Sequence, residues 1–103
     1  MADIYVRISL AQPRHGNEAA LAKIDDDLME FFAQQPGYIH GYRIVGGDVE
    51  GRVGRLTMWN SEEDASNAAQ TDHVLALRSQ LLLLIDEDSH VEDSWTARDV
   101  LKK

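Results

Sequence analysis

The sequence predicts an α+β fold with elements in the order β-α-β-β-α-β, and three observations support this order. Residues 4–10 alternate between apolar and polar side chains, as a half-buried strand does. Residues 18–34 repeat apolar side chains at helical spacing. Two more alternating runs, 38–45 and 52–59, flank the glycine-rich segment 46–51, which is typical of a β-hairpin. We therefore predict a ferredoxin-like fold, in which a four-stranded antiparallel sheet carries its helices on one face.

The first helix is predicted to bury one side and to expose the other. Asn17 is the expected N-cap, and Pro36-Gly37 marks the end of the helical region. The apolar residues at helical spacing are Leu21, Ile24, Leu28 and Phe31 or Phe32. The opposite, solvent-facing side is expected to carry the acidic residues Asp25, Asp26 and Glu30. The run 25–27 is therefore interpreted as solvated helix surface and not as a calcium site, which needs spaced ligands in a turn.

The second half of the chain predicts a broken helical region and a last strand. Ser61 is expected to cap a short helix, and the segment 70–72 to break it and begin a longer helix over 73–85. The last five residues of that helix, 81–85, have almost no polar side, which indicates core plus subunit contact. Alternation over 90–98 predicts the fourth strand. The whole chain, 1–103, is expected to form one domain with a tail from about residue 99.

The composition narrows the classes of function. Ten Lys and Arg against 18 Asp and Glu give a net charge of −8, which repels phosphate backbones and anionic lipid headgroups. Nucleic acid and membrane partners are therefore not expected. The chain has no cysteine, which fits a reducing compartment, and its first residues lack the pattern of a signal peptide. We expect a cytoplasmic protein.

The predicted sheet has one face without helices. Its side chains are a mixture of apolar and large amphipathic groups, and such a surface is too apolar to remain in contact with water. A second copy of the chain, packed sheet to sheet, would cover it. We therefore predict a homodimer that forms an α/β barrel.

Three motifs carry a family resemblance: Pro-Gly-Tyr-Ile-His-Gly-Tyr at 36–42, Leu-Thr-Met-Trp-Asn-Ser-Glu-Glu-Asp-Ala at 56–65, and Thr-Asp-His at 71–73. Together they resemble the antibiotic biosynthesis monooxygenases, a family of dimeric α/β barrels. Members of that family have a Pro-Gly-aromatic start to the second strand, a Trp-x-Ser-x-Glu junction from strand to helix, and a small-residue-x-His entry to the last helix. The order and size of the elements match over roughly the whole chain.

The resemblance implies oxygen chemistry on phenols or quinols without a bound metal or flavin. Such chemistry needs a mostly apolar pocket, a base that ionises the substrate, and donors that hold the anion while it reduces dioxygen. The candidate bases are His40 and His73. The candidate donors to the anion are Arg43, Arg55 and Asn60. The candidate walls of the pocket, which would bind an apolar or aromatic ligand, are Tyr42, Met58, Trp59 and Trp95.

Each candidate also has a structural interpretation. His73 suits a first-turn or surface position, and His40 suits the seam of a dimer. The two tryptophans suit the core, and the arginines suit ion pairs with the many acids. His90, beside Asp88 and Glu92, hints at metal binding, but the four histidines lack the spacing of a metal site, so we expect neither a metal nor a cofactor.

Two departures from the family pattern leave a second class of function open. The haem-degrading branch uses an asparagine, a tryptophan and a histidine where this chain has Arg7, Ala68 and Arg78, so haem ligation in that manner is not expected. Many members also carry a histidine on the short helix, where this chain has Ala-Ala-Gln at 68–70. The alternative is a non-catalytic or stress-related dimeric barrel that binds an apolar ligand or only assembles.

Overall fold

The computed structural model describes residues 3–46 and 51–101, and the predicted turn residues 47–50 lie outside the described residues. The strands are β1 (Ile4–Ala11), β2 (Tyr38–Val45), β3 (Val53–Trp59) and β4 (Val91–Ala97), and the helices are α1 (Glu18–Phe32), α2 (Glu62–Ala69) and α3 (Asp72–Leu82). A short 3₁₀ turn over Glu87–Ser89 precedes β4. The strands form one antiparallel sheet in the order β2-β3-β1-β4, so the predicted ferredoxin-like fold is confirmed.

The register of the strands divides the sheet into a helix face and an open face. Side chains alternate along a strand, so residues in register on neighbouring strands share a face. The rows of the helix face are Thr96, Tyr5, Trp59 and Tyr38; Ser94, Arg7, Thr57 and Gly41; and Glu92, Ser9, Arg55 and Arg43. The rows of the open face are Trp95, Val6, Met58 and His40; Asp93, Ile8, Leu56 and Tyr42; and Val91, Leu10, Gly54 and Ile44. The apolar side of β1 therefore points away from the helices.

The hydrophobic core lies between the helix face and the three helices. Its buried apolar residues are Ala11, Leu21, Ile24, Leu28, Phe32, Trp59, Ala65, Ala68, Val74, Leu81 and Ile85. The rings of Phe32 and Tyr38 meet the ring of Trp59 edge to face, with centres 5.7 and 5.6 Å away. Phe32 rather than Phe31 completes the buried stripe of α1.

Residues with hydroxyl side chains cap the N-termini of α2 and α3, as predicted. The Ser61 and Thr71 hydroxyls accept hydrogen bonds from first-turn N–H groups at 3.1 and 3.3 Å, and the break predicted over 70–72 is the junction between α2 and α3. Asn17 occupies the predicted N-cap position of α1 but does not cap the helix with its side chain. The Asn17 side chain makes no capping bond and donates instead to the carbonyl of Leu84 at 3.3 Å, which links the start of α1 to the segment after α3.

The apolar run 81–85 divides between the core and the surface. Leu81 and Ile85 are buried, so the predicted core role is confirmed for them. Helix α3 ends at Leu82, earlier than predicted, and Leu82 and Leu83 are 49% and 76% exposed. Their predicted role in a subunit contact stays a prediction.

Candidate functional site

A small cavity, here called the inner cavity, lies between the helix face of the sheet and the helices. Its apolar lining is Phe32, Trp59, Ala65, Ala69 and Val74, and its polar lining is Arg7, Ser9, Arg55, Thr57, Arg78 and Glu92. Its volume of about 30 Å³ is far below the roughly 300 to 1,000 Å³ of small-molecule sites. A second space of about 420 Å³, the outer cleft, opens beside it and shares Arg7, Ala69, Arg78 and Glu92.

A buried ion pair fixes one guanidinium group in the cavity wall. Arg55 Nη1 donates to Asp25 Oδ1 at 2.6 Å, and the two side chains are 8% and 3% exposed. The prediction that Asp25 faces solvent is therefore wrong, whereas Asp26 is exposed as predicted. Successive helix residues differ by about 100° in direction, so the acidic run cannot keep all its carboxylates on one side. Asp25 follows Ile24 towards the core, and Arg55 compensates its buried charge.

A second ion pair lies where the inner cavity meets the outer cleft. Arg78 Nη1 and Nη2 donate to the two carboxylate oxygens of Glu92 at 2.5 and 3.1 Å. Burial raises the pKa of Glu92, but the hydrogen bonds and charge of Arg78, together with His90 and Arg55, outweigh burial and hold that pKa below its usual value. The hydrogen bonds to Glu92 also raise the pKa of Arg78. Both groups are therefore charged at neutral pH.

Arg7 contributes a third guanidinium group at the same boundary. It donates to the Tyr5 hydroxyl at 3.2 Å, and its central carbon lies 5.4 Å from the centre of the Tyr5 ring. Within the described ranges, no carboxylate approaches Arg7 to ion-pair distance. The lining contains three guanidinium groups, and the carboxylates near them are only two, Glu92 in the lining and Asp25 behind Arg55. The site therefore has one excess positive charge, although the net charge of the chain is −8.

His90 lies beside the inner cavity. Its Nε2 atom is 3.5 Å from Ser9 Oγ and 3.9 Å from a carboxylate oxygen of Glu92, and its side chain is mostly buried. Ser9 and Glu92 both line the cavity, so one side chain separates the imidazole from it. A serine hydroxyl both donates and accepts hydrogen bonds, which makes Ser9 a suitable link between the imidazole and a bound molecule.

Trp59 forms the aromatic wall of the inner cavity. Its side chain is 1% exposed, and its Nε1–H donates to Thr57 Oγ1 at 2.9 Å. The same residue packs in the core, so the two roles considered for it are compatible. The indole ring offers a flat apolar surface, and the hydrogen bond to Thr57 fixes its orientation.

The structure separates candidate residues that the sequence placed in one pocket. Arg55 and Trp59 line the inner cavity, but the open face carries four other strand candidates, His40, Tyr42, Met58 and Trp95. His40 and Arg55 therefore lie on opposite faces of the sheet. His40 is in register with Met58, which lies an odd number of residues from Arg55, and an odd separation reverses the face.

The three remaining candidates also lie outside the inner cavity. Arg43 is on the edge strand β2 and pairs with Asp26 of α1. Asn60 follows β3 and is exposed. The ring of His73 stacks on that of Phe31 at 4.4 Å, in a groove between α1 and α3.

Sequence reasoning missed four site residues that the topology brings together: Arg7, Ser9, Arg78 and Glu92. They come from β1, α3 and β4, which are distant in sequence and meet because β4 pairs with β1. One signal was available. The comparison with the haem-degrading branch had already placed Arg7 and Arg78 at functional positions of that branch.

In the part of the chain that the structure describes, no group of three or more His, Cys, Asp or Glu side chains is arranged to hold a metal ion. No helix of the described ranges has the length and apolar composition needed to cross a membrane.

Solved structures share this fold over nearly the whole chain. No protein-family model and no curated protein matches the sequence of the chain. One similar structure is SnoaB, a cofactor-independent oxygenase from Streptomyces nogalater, with a TM-score of 0.81 at 20% identity over 99% of this chain and 100% of that chain. A candidate antibiotic biosynthesis monooxygenase from Nitrosomonas europaea has a TM-score of 0.79 at 17% identity over 98% and 94%. Rv0793 from Mycobacterium tuberculosis has a TM-score of 0.83 at 16% identity over 96% and 99%. The resemblance predicted from the motifs is therefore confirmed at the level of the fold.

Proposed function

We propose that the protein is a cofactor-independent monooxygenase that oxidises a small phenolic or quinol-like substrate with dioxygen. The observation that carries this proposal is the inner cavity, which combines the aromatic wall of Trp59 and Phe32 with guanidinium groups in excess of carboxylates. An aromatic substrate that ionises needs both features, a ring surface for packing and donors for the anion. The fold shared with SnoaB, a cofactor-independent oxygenase, supports the same class of activity.

The proposed reaction needs no external reductant. A base removes a proton from the phenol or enol, and the anion transfers electrons to dioxygen. The ring carbon that is a CH₂ group in the keto tautomer of the substrate becomes a carbonyl that holds one oxygen atom. The second oxygen atom leaves as water with the two hydrogen atoms of that carbon. Arg55, held by Asp25, would stabilise the anion, because charge-assisted hydrogen bonds are strong in a site that excludes water.

His90 is the proposed base. The bases suggested by the sequence, His40 and His73, lie on the open face and in the α1–α3 groove, whereas His90 contacts the cavity lining through Ser9. The 3.5 Å contact between His90 and Ser9 is long, but such contacts often tighten only when substrate is bound. A proton would pass from the substrate to the Ser9 hydroxyl and from there to the imidazole.

The inner cavity has to widen before it can admit a ring. Its volume of about 30 Å³ corresponds to one or two water molecules. The side chains at its boundary with the outer cleft, Arg7 and Arg78, are long and rich in rotamers. Their outward movement would join the two spaces, so the outer cleft is the proposed entrance.

The same small volume supports a second candidate function. If the boundary side chains stay in place, the core is filled and the protein is a non-catalytic dimeric barrel that binds an apolar ligand at its surface or only assembles. The exposed Leu82 and Leu83 would then supply part of that surface.

Oxygen uptake by the purified protein with a panel of hydroquinones and anthrones separates the two candidates. We expect protein-dependent uptake that falls about a hundredfold or more in His90→Gln, the usual effect of removing a general base. Arg98→Met is the control, because Arg98 pairs with Asp3 at the surface and takes no part in the cavity lining. No uptake above the uncatalysed rate across the panel would contradict the oxygenase and favour the non-catalytic barrel.

The open face supports the proposal of a homodimer. Trp95 and Tyr42 are 59% and 52% exposed on this face, beside the apolar side of β1. Trp95→Glu should therefore yield a monomer in sedimentation velocity. Val45→Glu is the matched control, because Val45 is 69% exposed but belongs to the helix face of the edge strand. A Trp95→Glu protein that remains a stable dimer would show that the subunits associate elsewhere.

A further inference from the structure

The geometry points to a substrate that carries a carboxylate on its aromatic ring, with Arg7 binding that carboxylate where the inner cavity meets the outer cleft. The inference rests on the proposed function only for the oxidation of the ring. Binding of the carboxylate depends on the arginines alone and not on that oxidation.

Arg7 differs from its neighbours in having no acidic partner among the residues that the structure describes. Arg55 is paired with Asp25, and Arg78 holds both oxygens of Glu92. Among residues 3–46 and 51–101, Arg7 has only the Tyr5 hydroxyl and ring as polar partners of its side chain. A half-buried guanidinium without a carboxylate, in a chain with an excess of acids, indicates that its counter-ion comes from outside the chain.

A carboxylate meets this requirement better than a phenolate. A simple phenol, with a pKa of about 10, reaches the site neutral, whereas a carboxylic acid with a pKa of about 4 is already charged in neutral solution. The planar guanidinium also matches the two oxygens of a carboxylate, as the Arg78–Glu92 pair demonstrates at the same boundary. A single excess positive charge suits a monoanion more than a phosphate.

The position of Arg7 in the sheet places the rest of the ligand. Arg7 is in register with Thr57 on one side, and Trp59 lies two residues further along the same face. On the other side of Arg7 the outer cleft offers Ala69 and Leu75 as apolar surface. A ligand held by its carboxylate at Arg7 can therefore enter through the outer cleft and present its ring to Trp59.

Isothermal titration calorimetry with a matched pair of probes tests the inference. The probes are 1-hydroxy-2-naphthoate and its methyl ester, which differ in charge but share the ring and the phenol. We expect the acid to bind the wild-type protein at least about tenfold more tightly than the ester, as one charge-assisted hydrogen bond predicts. Arg7→Met should remove this preference by weakening the acid alone, and Arg7→Lys should keep part of it. Arg98→Met, which removes a surface arginine, should leave the preference unchanged.

Equal binding of acid and ester by the wild-type protein would overturn the inference, as would a preference that survives in Arg7→Met or the absence of binding at millimolar concentrations. The wild-type comparison stands even if a variant fails to fold. The two proposals also fail separately. Selective binding of the acid without oxygen uptake would contradict the proposed oxygenase activity and support the carboxylate site. Turnover of phenols without any preference for acids would support the oxygenase activity and contradict the carboxylate site.

Discussion

Replacing Asp25 with alanine should cost about 3 to 5 kcal/mol of unfolding free energy, because Arg55 would remain charged and buried without its partner. The two side chains are 3% and 8% exposed and meet at 2.6 Å, so water cannot simply replace the lost carboxylate. Domains of this size have a total stability of about 5 to 15 kcal/mol. The melting temperature should therefore fall by on the order of 15 °C.

Asp26 provides a matched control, one residue along the same helix. Its side chain is 62% exposed and pairs with Arg43, so Asp26→Ala should change the stability by less than about 1 kcal/mol. Urea unfolding followed by circular dichroism, at one fixed protein concentration, compares the variants even if the protein is a dimer. If Asp25→Ala and Asp26→Ala unfold within about 1 kcal/mol of each other, the reasoning from the buried pair is refuted.

A double replacement, Asp25→Leu with Arg55→Met, separates the effect of charge from that of packing. Exchanging a buried ion pair for apolar side chains of similar volume is often neutral or stabilising, so most of the lost stability should return. A double variant as unstable as Asp25→Ala would mean that lost packing, and not the unpaired arginine, caused the loss. The double variant should also lose the proposed activity, because it removes a donor to the anion.

Three further predictions follow from single contacts. Thr57→Val leaves the indole N–H of Trp59 without its acceptor and should cost about 1 to 3 kcal/mol in the same urea assay; an unchanged midpoint would contradict it. Glu92 has a folded-state pKa below its usual value of 4.5, so its pairing with Arg78 stabilises the protein above that pH and loses its effect as the pH falls through the lower folded-state value. The unfolding free energy of the wild type should thus exceed that of Glu92→Gln by roughly 0.5 to 1 kcal/mol at neutral pH, because the pair is partly exposed. This difference should vanish in acid, and a difference that does not change with pH would refute the prediction. Gly54→Ala should unfold at a much lower temperature, because the added methyl carbon would lie 1.8 Å from the backbone of β1, and a normal melting curve would show that the strands can separate without loss.

The elements of this fold were predictable because each leaves a local mark. Alternation revealed the strands, and the hydroxyls of Ser61 and Thr71 marked two helix starts, since a cap depends only on its own first turn. Asn17 has the same capping chemistry, but its amide bonds to Leu84, which is distant in sequence. A local rule failed there because a tertiary partner competed for the side chain.

The candidate site was predictable only in part, because alternation defines two faces without saying which one the helices cover. His40 and Arg55 illustrate this limit, since both lie on predicted strands of one hairpin but on opposite faces. Burial of Asp25 was equally hidden, because it depends on Arg55, which lies in another element. Arg55 and Trp59, two of the candidates from the sequence, line one cavity, and their roles there stay predictions. The place of Ser9 in the same lining follows only from the strand order.

The distribution of side chains over the two faces links the proposed site to the proposed dimer. In a solitary domain of this architecture, the apolar side of β1 would be expected to face the helices and to supply the core. Here that side points outward and Arg7 and Ser9 face the helices, together with Arg55 of β3. A chain that only assembled would gain no stability from placing arginines against its own helices, because their desolvation has to be offset by acids or by a ligand. Asp25 offsets one of them and nothing described in the chain offsets Arg7, so the inward polar face is best explained by a bound anion and the outward apolar face by a second copy.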